Sequence, residues 1–105
     1  MNSVYFEAYD FYKKQYAPNL VLFHVGSRYE AYEDDAERLA QVLNSVVLSR
    51  HQLRFCDFPE EALEEIILLL LQADIPVSTI EYRNEQGSFS IPKVKQIMQD
   101  IEDDY

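Results

Sequence analysis

The residues best equipped for chemistry stand together at 25–30, where Val25, Gly26, Ser27, Arg28, Tyr29 and Glu30 follow one another. On an extended backbone, residues two apart share a face, so Arg28 and Glu30 would point one way and Tyr29 the other, toward a core. A guanidinium can hold a phosphate or stack on a nucleobase. The plainer alternative for Arg28 and Glu30 is a surface salt bridge. Tyr32, two residues further on, is a base-stacking candidate or a packed aromatic.

Arg50 and Arg54, with Lys13 and Lys14, are further candidates for phosphate contacts, and Arg83 with Lys93 and Lys95 could form a second small patch. The alternative is scattered solvated charge. Nine basic residues face nineteen acidic ones, a net charge of −10. Such a balance disfavours nucleic acid, because lysine and arginine supply most of the affinity for phosphate. His24, His51, Cys56 and Asp57 are metal-ligand types, but their spacing fits no structural zinc pattern, and no metal is expected. Asp57, Glu81 and Arg83 form a conceivable nuclease-like set, though Arg83 stands where such sites usually want lysine. No Ser-His-Asp or Cys-His arrangement has supporting context, and no G-x-x-x-x-G-K-[ST] phosphate loop occurs. The expectation is therefore no enzyme, no cofactor and no nucleotide.

The elements that must position these groups alternate between helix and strand. Phe6, Ala8, Phe11, Tyr12 and Tyr16 predict a helix over 4–16, stopped by Pro18 and Asn19. The apolar run at 20–25 suits a strand buried on both faces, and Gly26 breaks it. Residues 29–32 make a short second strand. Asp34 and Asp35 open a helix to about Asn44, its acids at the positive end of the helix dipole. Val46, Val47 and Leu48 read as a strand, and 53–58 alternates as a half-buried one. Pro59 suits the first turn of a helix that runs to about Ala73. Residues 77–82 alternate again. A turn at 85–88, a hairpin strand at 89–91 and a short helix marked by Val94, Ile97, Met98 and Ile101 complete the pattern. The fold class is α/β of the α+β type, a mixed sheet flanked by helices.

One domain over 1–105 is expected, since hydrophobic residues make up 48% of the chain, enough for a core without disulfides. Cys56 is the only cysteine, which points to a reducing compartment. The first residues lack the pattern of a signal peptide, and the longest apolar run, 66–71, is too short to cross a bilayer. A cytoplasmic protein without a membrane partner is expected. The helix turn containing Leu68, Leu69 and Leu71 is apolar nearly all round. It serves either as an interface for a homodimer or protein partner, or as a surface covered by the C-terminal helix.

Residues 20–50 resemble, without a gap, a segment typical of the N-terminal domain of the MutS DNA mismatch-repair family. That segment reads L-L-L-F-R-V-G-D-F-Y-E-L-F-x-D-D-A-x-R-A-x-x-L-x-I-x-L-T-x-R. The shared marks are Val25-Gly26, Tyr29-Glu30 and Asp34-Asp35-Ala36-Glu37-Arg38. A second family block, P-Y-H-A-L-x-x-Y-L-x-x-L-x-x-A-G-x-x-V-A-I-C-E-Q, is similar to the stretch from Pro59 through Tyr82. The resemblance covers about 5–91, leaving a short helix and an acidic tail. It implies a MutS N-terminal-domain-like fold and recognition of mismatched DNA. In that family a Phe-x-Glu motif reads the fault: the Phe wedges beside the weak pair and the Glu hydrogen-bonds a displaced base. The Glu position is Glu30, and the Phe position is occupied by Arg28. The family's loop between Arg50 and Pro59 is shortened. Some members keep the domain without the reader and act as the non-reading partner in a dimer, and Arg28 makes this chain resemble those. The resemblance thus implies a DNA-binding stand-alone domain with Arg28, Glu30, Arg50 and Arg54 as contacts. The alternative is an acidic interaction module that kept the fold and lost DNA reading.

Overall fold

A computed structural model describes residues 4–81. Helix α1 (Val4–Tyr16) leads into strand β1 (Leu20–Val25), which turns back through Gly26 and Ser27 into β2 (Arg28–Tyr32). Helix α2 (Glu33–Leu43) follows, then β3 (Leu48–Arg50) and β4 (Leu53–Pro59). A single 3-10 turn (Glu60–Ala62) enters helix α3 (Leu63–Gln72), and β5 (Val77–Ile80) closes the described chain. The strands form one sheet in the order β3-β4-β2-β1-β5. β5 runs parallel to β1, and the other pairs are antiparallel. The expected mixed sheet flanked by helices is present.

Strand β1 explains the layering. Leu20 and Leu22 point into a core shared with Leu39 of α2 and with Ile66 and Leu70 of α3. Val21 and Phe23 point into a second core with Ala8 and Tyr12 of α1. A strand buried on both faces has no place for polar alternation, hence the unbroken apolar run. Gly26 takes φ +62, a left-handed backbone that glycine adopts without steric cost.

Three boundaries differ from expectation. Of Val46, Val47 and Leu48, only Leu48 lies in β3. His51 (φ 54) and Gln52 (φ 66) make a two-residue turn that pairs Arg50 with Leu53, so the turn sets where the strand lies. Val47 instead packs under the α2–α3 core, while Val46 is exposed. Pro59 closes β4 with ψ 144 instead of opening the helix, and the α-helical turns begin only at Leu63. β5 ends at Ile80, two residues earlier than expected. The turn at 85–88, the strand at 89–91 and the final helix at 94–101 lie outside the described residues.

The layers are joined at one carboxylate. Asp35 is fully buried in the first turn of α2. Its Oδ1 accepts from Lys13 Nζ of α1 at 2.8 Å and from Arg38 Nη1 at 3.3 Å, and its Oδ2 accepts from the Val21 backbone N–H at 3.1 Å. Lys13 Nζ also donates to the Asn19 carbonyl at 2.7 Å. The buried charge is therefore paired and fully hydrogen-bonded, the condition under which such a group is tolerated. Asp35→Ala leaves the Lys13 ammonium without its partner and is expected to lower unfolding free energy by about 3–5 kcal/mol. Urea titration reads this directly; a loss below about 1 kcal/mol would show that Lys13 is satisfied elsewhere and that the layers do not depend on Asp35.

Candidate nucleic-acid interface

The turn of Gly26 and Ser27 delivers Arg28 at the start of β2, with Glu30 and Tyr32 on the same side of the strand. Pairing of β2 with β4 sets Glu30 directly opposite Asp57. Two carboxylates facing each other across a strand pair repel. Each is neutralised by its own arginine. Arg28 Nε donates to Asp57 Oδ2 at 2.9 Å and its Nη2 to Oδ1 at 3.3 Å, a two-pronged pair. Donation to the Asp57 carboxylate holds the guanidinium more firmly in its charged form. Arg50, from the neighbouring β3, reaches Glu30 Oε1 through Nη2 at 2.8 Å.

Glu30 is thereby enclosed. It is 4% exposed, and its Oε1 also accepts from the Tyr32 hydroxyl at 2.6 Å. The Arg50 guanidinium lies 4.4 Å from the Phe55 ring centre and 5.4 Å from that of Tyr5. Stacking on aromatic faces adds to the charge pairing. Tyr32 is fully buried, and burial together with the Glu30 carboxylate pushes its phenol well above the usual tyrosine range. Of its two readings as base-stacker or packed aromatic, the geometry gives the second. Tyr29 points to the other core, as expected, with its ring stacked at 4.1 Å on His24 and 5.7 Å on Phe58.

Arg54 stands apart from this group. It faces the N-terminus of α2, where Glu33 Oε2 accepts from its Nε at 2.9 Å and Asp34 and Glu37 take the remaining nitrogens. Lys14 pairs with Asp10 at 3.0 Å. Every lysine and arginine among the described residues is in an ion pair: Lys13, Lys14, Arg28, Arg38, Arg50 and Arg54. Arg83, Lys93 and Lys95 lie outside the described residues. The structure thus brings Arg28, Glu30 and Arg50 together and leaves Arg54 elsewhere. Sequence reasoning missed Asp57 as the partner of Arg28, and only the β2–β4 register reveals it.

The other candidate sets are dispersed. His24 Nε2 lies 2.6 Å from Glu60 Oε2, and its Nδ1 lies 3.0 Å from Glu81 Oε1. The Tyr29 hydroxyl donates to the same Glu81 oxygen at 2.9 Å. Cys56 is buried under α2 and α3, and burial pushes its thiol up. His51 occupies the exposed β3–β4 turn. Asp57 holds Arg28 while Glu81 holds His24 and Tyr29, so the nuclease-like pair does not converge. Among the described residues, no group of three His, Cys, Asp or Glu could hold a metal ion. No helix of the described residues is long and apolar enough to cross a membrane. On α3, Leu68, Leu69 and Leu71 are 59%, 44% and 51% exposed.

Two consequences are measurable. Glu30→Gln removes the charge that satisfies Arg50 and is expected to cost about 2 kcal/mol of stability in urea unfolding; an unchanged midpoint would refute the clamp. The Tyr9 phenol is pushed up to about 12, mainly by burial, with Asp35, Asp34 and Glu33 adding to it. A phenol whose folded value exceeds the unfolded one stabilises the fold fully below about pH 10. That contribution disappears as pH rises through about 12. Circular dichroism and phenolate absorbance should change together in that window, and ionisation of all tyrosines near pH 10 with the fold intact would contradict it.

Comparison with known proteins places this geometry in a family. The profile of MutS domain I matches residues 4–99. The DNA mismatch repair protein MutS of Thermotoga neapolitana is 32% identical over 73 residues, covering 70% of this chain and 9% of that protein. The MutS of Borreliella burgdorferi strain B31 is 32% identical over 76 residues, 72% of this chain and 9% of its own length. The MutS of Thermosipho melanesiensis is 32% identical over 69 residues, 66% of this chain and 8% of its own. The chain thus spans about a tenth or less of the curated relatives it matches. The mixed sheet, the helix opened by Asp34 and Asp35, and a match across nearly all of the sequence agree: the chain belongs to the MutS domain I family.

Proposed function

We propose that this chain is a mismatch-recognition-type domain acting on DNA in repair, with its reading position refitted from an apolar wedge to an ion pair. The observation that carries the reading is the position of Arg28 and Glu30 on β2 within a chain that belongs to MutS domain I. Arg28 is 43% exposed in its side chain and is held at the end of β2 by Asp57. It can leave Asp57 for a phosphate or lie flat on an unstacked base, and it is a poor wedge because a guanidinium resists desolvation. Glu30 does not present its carboxylate outward, since Tyr32 and Arg50 occupy it. Arg50 therefore acts through Glu30, and Arg54 through α2. Binding of this kind is weak, dominated by Arg28 and steeply salt-dependent, because the described cations must exchange an internal carboxylate for a phosphate.

A second reading is favoured by the exposed leucines of α3: an acidic interaction module that kept the fold without DNA reading, binding a protein partner or a second copy. Fluorescence anisotropy with matched and mismatched duplexes at about 50 mM salt separates the two. The DNA reading expects measurable binding that is lost on raising salt and reduced several-fold by Arg28→Ala. Arg28→Phe should create a preference for the mismatched duplex on the same scaffold. Absence of binding to either duplex at about 100 µM protein leaves only the second reading.

A further inference from the structure

We infer that the outward face of α3 docks a partner segment that is apolar on one side and carries lysine or arginine next to that apolar strip. This deepens the second reading above and does not depend on DNA binding. The inward positions of α3 already complete the core: Ile66 and Leu70 are buried, and Leu63 packs against the same cluster. Leu68, Leu69 and Leu71 face outward and add nothing to that core. One to two turns upstream, Glu61, Glu64 and Glu65 are also exposed. Residues three and four apart share a helix face, so Glu61, Glu64 or Glu65, Leu68 and Leu71 make one continuous stripe, acidic first and apolar after.

Charge selects the occupant. Each described lysine and arginine is paired with a carboxylate other than Glu61, Glu64 and Glu65. Arg28 lies within electrostatic reach of Glu61, whereas Glu64 and Glu65 are left without an ion pair among the described residues. A second copy of α3 would bring the same glutamates and no described free cation to meet them. A nucleic acid or an anionic lipid surface carries the same sign as the stripe. A basic and apolar peptide segment complements both halves, with its cations about 10 Å from its leucine-binding end, the rise of seven helical residues.

The test uses the full chain and a synthetic helical peptide of about 18 residues with leucines on one face flanked by lysines. A peptide of the same composition with its leucines dispersed is the control. Anisotropy should show the ordered peptide binding about tenfold more tightly than the control. The variant Leu68→Gln/Leu71→Gln should lose that difference, and Glu64→Lys/Glu65→Lys should weaken the ordered peptide about tenfold and flatten its salt dependence. Both changes lie on exposed positions, and circular dichroism checks that the fold is retained. Arg28→Ala should not weaken peptide binding, since it removes a cation near Glu61, and Leu68→Gln/Leu71→Gln should leave duplex binding unchanged, so the failure of one reading is distinguishable from the failure of the other. Equal binding of both peptides, or of wild type and the leucine variant, would overturn the inference by reducing the attraction to net charge. A dimer in sedimentation velocity that the leucine change abolishes would also overturn it, by assigning the face to a second copy.

Discussion

Asp35 is the point on which the architecture hangs. A helix in front of a sheet and two behind it must be indexed to one another, and apolar contacts alone slide easily. A buried carboxylate that accepts from a lysine of α1, from the backbone of β1 and from an arginine one turn along its own helix admits a single arrangement of the three. Removing water from that carboxylate is costly, so any packing that separated it from Lys13 would be strongly disfavoured. Directional groups thus supply the specificity that the two hydrophobic cores lack. Around that fixed frame, β2 and its side chains have little freedom of placement.

The same economy of charge runs through the candidate interface. A chain of net charge −10 has few cations, and the described ones are drawn into internal pairs. Their pairing follows from the sheet: strand register sets Glu30 against Asp57, and repulsion between them is relieved only if arginines arrive from both sides. Arg28 and Arg50 do so. The outcome is a cluster in which the Glu30 carboxylate is structural and the Arg28 guanidinium is half-open.

Much of the frame was legible in the sequence. The apolar run of β1, Gly26, the amphipathic α2 opened by acids and the alternating β4 are local patterns, and local patterns survive into the fold. β3 was misplaced because Val46 and Val47 carry the residue types of a strand, whereas the turn at His51 and Gln52 decides which residues pair. Pro59 was misplaced because a residue suited to a helix start is equally suited to a strand end, and its ψ of 144 is the extended choice. The site was legible as a list of residues and illegible as a set of contacts. That Glu30 is enclosed, that Arg54 serves α2 and that His24 lies between Glu60 and Glu81 all depend on register and on which helix covers which face.

The alternation of β1 divides the interior of the protein in two. Its odd residues, Val21 and Phe23, serve the layer of α1, and its even ones, Leu20 and Leu22, serve the layer of α2 and α3. The central strand therefore supports both cores at once, while Lys13 and Asp35 tie the two layers together. A change at any one of these four β1 positions is therefore felt first by one core and not the other.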